Sequence, residues 1–318
     1  MMKRKNLLAI LGILVFAVIL NFPAMGDAAK KQMTIGTASM GGAYYPVGTG
    51  VASLINKYVP EMDMRVEVTG GAVENPRLVG GGKTDLGITN TSTGFFATKG
   101  MKPYPKPLPV RALAYMYPST FHMVTKKDSK VETLSDLKGR RVAVGPAAGG
   151  TISLLRGLLT VYDMTVKDFK PSYISYKDGS LALQDGNVDA SILLAGAPTS
   201  AVLELSVRTP IRFLRLDEDT VAKFLKEFPY YVKVVIPKSY YKTDQDVLAV
   251  GAGNLLIVNE AMSEDLAYKI TAALYDHVDE FKKVHPATKV VTLESAPNAV
   301  IPLHPGAARY YREKGVLK

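Results

Sequence analysis

The sequence predicts an α/β protein of two lobes with a ligand cleft between them. Segments with strand character alternate with segments of helical periodicity. One strand, glycine-rich loop and helix unit occurs twice along the chain. At 318 residues, 47% of them hydrophobic, the chain is long enough to build two cores and is not compositionally disordered.

The N-terminus comes first. Lys3, Arg4 and Lys5 precede an apolar run over residues 7–20, followed by Pro23 and a small-residue stretch over residues 24–29. That order is the pattern of a secretory signal, and the run falls short of the roughly 20 residues that span a bilayer as a helix. Cleavage is expected after Gly26, with Ala28 the alternative, which makes residues 1–26 a signal peptide and places the mature chain in the periplasm. The chain has no cysteine, so neither a disulfide framework nor a lipid anchor on cysteine is available. The formal charge is +10. Its lysines are scattered, as in Lys99, Lys102 and Lys106 or Lys282-Lys283, with no dense basic run among aromatics. They read as solvated surface, with no nucleic-acid partner.

The repeated unit sets the architecture. In its first copy, Met33-Thr34-Ile35-Gly36-Thr37 is a strand that runs into Ser39-Met40-Gly41-Gly42. A helix follows, with Pro46 in its first turn and Val47, Val51, Leu54, Ile55 and Tyr58 on one face. Gly82-Lys83-Thr84-Asp85 then turns the chain into the strand Leu86-Gly87-Ile88. In the second copy the strand Arg141-Val142-Ala143-Val144-Gly145 runs into Ala148-Gly149-Gly150. Its helix carries Leu154, Leu155, Leu158, Leu159 and Tyr162 on one face, and Gly186-Asn187-Val188-Asp189 leads into Ala190-Ser191-Ile192. Such alternation implies a parallel sheet in each lobe, covered by helices on both faces. Ligands of open α/β sheets lie beyond the carboxyl ends of the strands, where both glycine-rich loops fall.

The connections complete the plan. Strands over residues 112–117 and 121–125 are expected to flank a turn at Pro118-Ser119, the first crossing between lobes. The apolar stretch 247–258 is the return crossing. Ser263 caps a helix with Glu264 and Asp265 in its first turn and Leu266, Ile270, Leu274, Val278 and Phe281 on one face. A last helix covers residues 307–314 and ends at Gly315. Lobe I therefore comprises residues 27–119 and 252–318, and lobe II residues 120–251.

The chemistry of catalysis is missing from the motifs. Gly80-Gly81-Gly82-Lys83-Thr84 lacks the first glycine of a phosphate-binding loop, because position 77 is arginine, and it precedes a strand rather than following one. Ser39 sits in no nucleophile elbow, since position 37 is threonine. His122, His277, His285 and His304 have no metal-ligand spacing. Binding of an anion fits better. A glycine-rich turn at a helix start exposes backbone N–H groups, and the helix dipole favours negative charge there. Ala148-Gly149-Gly150-Thr151 is one such turn and Ser39-Met40-Gly41-Gly42 its counterpart; either loop by itself is also explained by the backbone freedom of glycine. Asn75-Pro76 reads as an N-cap followed by proline at the first helical position. Asn90, Thr91 and Ser92 follow a buried strand and offer donors. Tyr44 and Tyr45 either wall a pocket or simply pack.

Several segments resemble the TAXI group of solute receptors from tripartite ATP-independent periplasmic (TRAP) transporters. They are Gly42-Ala43-Tyr44-Tyr45-Pro46-Val47-Gly48, Val68-Thr69-Gly70-Gly71-Ala72-Val73-Glu74-Asn75, Asp85-Leu86-Gly87-Ile88, Asp136-Leu137-Lys138-Gly139-Arg140-Arg141-Val142, Gly196-Ala197-Pro198-Thr199, and Ile301-Pro302-Leu303-His304-Pro305-Gly306-Ala307-Ala308-Arg309-Tyr310-Tyr311. The resemblance covers essentially the whole mature chain. It implies a type II periplasmic-binding-protein fold, closure of two lobes on a small carboxylate such as glutamate, glutamine or 2-oxoglutarate, and delivery to a TRAP permease driven by an ion gradient. It implies ligand contacts from Ser39, Gly41, Gly42, Tyr45, Asn75, Asn90, Thr91, Ser92, Ala148, Gly149, Gly150, Thr151, Gly196 and Pro198. Relatives carry Gly-Ser-Gly-Thr in the second loop; Gly149 here removes the serine hydroxyl and keeps the backbone donors. The expected protein is a monomer without cofactor, metal or catalytic residues. The same fold also serves receptors of ATP-driven importers and ligand-sensing partners of membrane kinases; an exported hydrolase is the enzyme alternative.

Overall fold

The computed structural model describes residues 30–318; the expected signal peptide lies outside them. β1 (Lys31–Gly36) leads through the first glycine-rich loop into α1 (Tyr44–Tyr58). β2 (Met62–Glu67), α2 (Asn75–Gly80), β3 (Leu86–Asn90) and α3 (Thr91–Lys99) follow. β4 (Val110–Lys126) crosses to the second lobe. That lobe holds β5 (Arg141–Ala143), α4 (Gly150–Val161), β6 (Lys170–Ser172), α5 (Tyr176–Gln184) and β7 (Ala190–Ala195). It continues with α6 (Ser200–Arg208), β8 (Ile211–Phe213), α7 (Glu218–Glu227), β9 (Val232–Ile236) and α8 (Lys238–Tyr241). β10 (Val247–Asn259) crosses back, and α9 (Glu264–Tyr275), α10 (Val278–Phe281) and α11 (Pro305–Glu313) pack on the first lobe. Among the described residues no helix is long and apolar enough to cross a membrane.

The repeated unit folds as its periodicity requires. The apolar faces read from the two helices are buried: Val47, Val51 and Ile55 of α1, and Leu154, Leu155, Leu158 and Leu159 of α4. β1 pairs in parallel with β2 and β3, and β5 in parallel with β6 and β7. The parallel sheets are not separate, however. Both belong to one mixed sheet of order β2-β1-β3-β10-β4-β7-β5-β6, with β8 on β4 and β9 on β10. The crossing strands β4 and β10 are long enough to pair with each other and with one strand of each lobe, β3 beside β10 and β7 beside β4, all antiparallel. Apolar side chains gather on either side of this crossing. One group joins Ile35, Val51, Ile88 and Leu256 to Tyr310 and Tyr311 of α11; another joins Val144, Leu155, Leu158 and Ile192 to Phe224.

Three local expectations need correction. Pro118-Ser119 is no turn: β4 runs straight through it. Proline donates no hydrogen bond to a ladder, and Pro118 sits opposite Gly253, where the β4–β10 register shifts and an extra residue relaxes the pairing. The helix begun by Ser263 ends at Tyr275 rather than reaching Phe281. The backbone leaves helical geometry at His277, φ −121° and ψ 32°, whose ring stacks on Tyr58 of α1 at 3.3 Å. Asn75 is not an N-cap; Glu74 occupies that position without a side-chain bond, and Asn75 is already helical.

The lobes meet across the cleft, so the form is closed. Val73 N–H donates to Ala148 O at 3.1 Å, and Ala201 N–H to Gly41 O at 3.3 Å. The Thr199 hydroxyl donates to Gly41 O at 2.5 Å and the Thr91 hydroxyl to Tyr230 O at 3.1 Å.

Candidate functional site

Both glycine-rich loops reach the same place. The strands β1 and β5 point them at one another, and between them lies a cavity of about 20 Å³. Its walls include Ser39 and Gly42 from the first loop, Tyr44 at the start of α1, Gly70, Gly71 and Ala72 before α2, and Asn90 at the end of β3. The second lobe adds Gly149 and Gly150, together with Tyr176, Leu194 and Ala195. α1 and α4 both start at this cavity. The first N–H groups of a helix have no partner within it, and neither Ala43 before α1 nor Gly149 before α4 caps its helix with a side chain.

Asn90 is the central side chain. It is 1% exposed. Its Oδ1 caps α3, accepting from Thr93 N–H at 2.8 Å and from the Ser92 hydroxyl at 2.8 Å. Its Nδ2 has no partner, and neither has the buried hydroxyl of Ser39. Buried donors are nearly always paired, so two unpartnered donors on one cavity wall mark a place for an acceptor. The Tyr44 hydroxyl donates to Asn254 Oδ1 at 2.7 Å. The Tyr176 hydroxyl bridges Thr151 Oγ1 at 2.7 Å and Leu194 O at 3.1 Å. Burial raises the pKa of both phenols, that of Tyr44 well above its ordinary value with further contributions from Tyr117 and Tyr176, so both stay protonated. Among the described residues no aspartate, glutamate, lysine, arginine or histidine lines the cavity. An anion here would be held by neutral donors and helix ends alone.

Of the expected contacts, Ser39, Gly42, Asn90, Gly149 and Gly150 line the cavity and the others do not. Asn75 has its Nδ2 within 2.7–3.1 Å of the carbonyls of Gly36, Thr37 and Ile88, and Thr69 Oγ1 lies 2.7 Å from its Oδ1. It ties β1 to β3. Thr151 is likewise spent, accepting from Leu194 N–H at 3.2 Å as well as meeting Tyr176. Thr91, Ala148 and Gly41 make the contacts between lobes given above. Gly41 has φ +94°, and a Cβ there would lie 2.8 Å from Lys177 N, so only glycine brings this loop so close to α5. A Cβ on Gly196 would meet Ala287, Ala43 and Tyr117. Ser92 serves Asn90, while Tyr45 and Pro198 are half-buried away from the cavity. Sequence reasoning missed Tyr176, Leu194 and Ala195. Tyr44, rather than Tyr45, is the tyrosine that turns inward.

Known proteins share this fold. Over 86 residues, 27% of this chain and 27% of that protein, the sequence is 31% identical to an Escherichia coli (strain K12) protein named for binding aliphatic sulfonates. Among solved structures, a protein of Bordetella bronchiseptica RB50 matches with a TM-score of 0.53 at 17% identity, over 91% of this chain and 90% of that one. The binding component of an ABC phosphonate transporter from Pseudomonas aeruginosa matches at 0.52 and 12%, over 80% and 78%. The alkanesulfonate-binding protein of Xanthomonas axonopodis pv. citri, bound to MOPS, matches at 0.50 and 14%, over 90% and 92%. At these identities the likeness is one of fold, that of two-lobed solute-binding proteins. The match to a family is broader: over residues 35–315, this chain belongs to the NMT1-like family.

Proposed function

We propose that the mature protein is an extracytoplasmic solute receptor that captures a small anion between its lobes and hands it to a membrane permease. The observation that carries this reading is the pair of unpartnered buried donors, Asn90 Nδ2 and Ser39 Oγ, at a cavity where two helix N-termini converge. A carboxylate or sulfonate oxygen satisfies such donors without a counter-charge. The cavity in the closed form has room for little more than a water-sized group. A solute must therefore part the Gly149-Gly150 loop from Gly70, Gly71 and Ala72 before the lobes close on it. Closure follows only if the closed state makes more solute contacts than the open one. The lobe boundaries expected from the sequence, near residues 119 and 251, place the hinge within β4 and β10.

Two permease classes have support. The named relatives include a component of an ABC transporter and sulfonate-binding proteins, which favours an ATP-driven importer and widens the solute class to sulfonates and phosphonates. The TAXI-like segments favour a TRAP permease and a carboxylate. Uptake into vesicles holding the neighbouring permease separates them: one needs ATP, the other an ion gradient. The receptor reading is tested by denaturing the protein purified from the periplasm and identifying released small molecules by mass spectrometry. A stoichiometric small anion supports it; an empty protein that also binds no carboxylate, sulfonate or phosphonate in solution overturns it.

A further inference from the structure

A second and larger space opens between the lobes. This cleft of about 700 Å³ shares Gly149 with the inner cavity, and the backbone bond from Val73 to Ala148 stands beside it. Its volume is that of an ordinary small-molecule site. Arg77, Phe96 and Lys102 line it from one lobe; Arg156, Tyr173 and Tyr230 line it from the other. No carboxylate among the described residues lines it. Among the described residues none of these three cations takes part in an ion pair. Arg77 donates one bond, to Pro103 O at 3.0 Å, and lies 5.0 Å over the Tyr104 ring, which leaves guanidinium donors free. The aromatic wall spans both lobes. Phe96 of α3 meets Tyr230 edge to face at 5.2 Å, and Phe228 stands 6.3 Å from Tyr230.

Closing the lobes brings Arg77 and Lys102 toward Arg156 with no counter-charge on the walls. Like charges brought together oppose that movement, and an anion between them offsets the repulsion. A guanidinium pairs best with a flat carboxylate or sulfonate, and the aromatic wall takes a ring edge or face. We propose that this outer cleft is a binding site of its own for a planar aromatic anion, held by Arg77, Lys102 and Arg156 and packed against Phe96 and Tyr230. It requires the closed arrangement of the lobes but not the inner-cavity reading.

Calorimetry on the full mature chain tests this with terephthalate and adipate as probes. Both are dianions with carboxylates at opposite ends, and only terephthalate has a ring. Terephthalate is expected to bind roughly tenfold tighter than adipate, and more weakly as salt rises. Arg77→Gln with Arg156→Gln should lower terephthalate affinity at least about tenfold, and Tyr230→Ala should narrow the gap between the probes. Asn90→Ala and Ser39→Ala, each checked by its melting curve, should leave terephthalate binding in place. Equal binding of the two probes, or terephthalate affinity untouched by the double arginine substitution, overturns the proposal. Loss on Asn90→Ala or Ser39→Ala with retention in the arginine variant also overturns it, and would seat the anion in the inner cavity, leaving the receptor reading intact.

Discussion

Two buried asparagines divide the work of the first lobe. Asn75 directs its amide at three carbonyls of the β1 and β3 region, whereas Asn90 leaves its amide NH2 without a partner beside the cavity. Asn75→Ala is therefore expected to cost about 2–4 kcal/mol of stability, through lost bonds and stranded acceptors, with affinity of the folded protein unchanged. Reduced affinity at an unchanged melting midpoint would contradict that division. Asn90→Ala should cost about 1 kcal/mol as a lost helix cap and lower anion affinity at least about tenfold. His122 provides a pH prediction. It is fully buried, with Nδ1 2.8 Å from Thr120 O and Nε2 2.9 Å from the Tyr241 hydroxyl, and burial pushes its pKa down to about 4 from 6.5. The unfolded chain takes up this proton more readily, so stability is full above the unfolded value and falls as pH drops from about 6.5 toward about 4. The loss is on the order of 3 kcal/mol. Burial lowers His285 and His304 as well, in the same direction. Urea midpoints across this range should fall less steeply in His122→Asn; an identical slope would remove His122 as a source.

At the level of elements, α1 and α4 supply the site through their first turns, and their glycines permit the approach. A Cβ on Gly150 would lie 2.2 Å from Asn90 Nδ2 and 3.3 Å from Ala72 Cβ, both on the opposite lobe. Gly150→Val should thus oppose closure more than folding: a small change in the ligand-free melting midpoint, and at least about tenfold weaker anion binding. Unchanged affinity would take this loop out of the site. The loops and the helix faces were legible in the sequence because they depend on local spacing, as Leu154, Leu155, Leu158 and Leu159 illustrate. Which tyrosine of the pair at 44 and 45 faces inward was not, because adjacent helical residues point about 100° apart and only the docking of α1 decides. Tyr176, Leu194 and Ala195 carry no local signal at all. They reach the cavity because β7 pairs with β4 and α5 packs beside it. Pro118 misled for a related reason, since the bulge that tolerates it, Met116 and Tyr117 of β4 against the single Asn254, forms only where β4 pairs with the distant β10.

For the molecule as a whole, the repeat predicted two lobes and their joint cleft, while the pairing that fuses both sheets through β4 and β10 depends on contacts between distant segments. Those two strands give the lobes a shared and continuous connection, so the proposed solute capture is a change of angle between two preformed lobes. In the proposed receptor the closed lobes hold a small anion through Asn90 and the two helix ends. A thermal unfolding series on the mature chain, refolded free of bound solute, measures this. Small carboxylates, alkanesulfonates and phosphonates are added in turn, with Asn90→Ala as the parallel sample. The account predicts that one class raises the midpoint of the wild type, by a stabilisation of about 4 kcal/mol at a thousandfold excess over the dissociation constant, and that the rise shrinks in Asn90→Ala. No shift with any of the three classes, or an equal shift in both proteins, would contradict it.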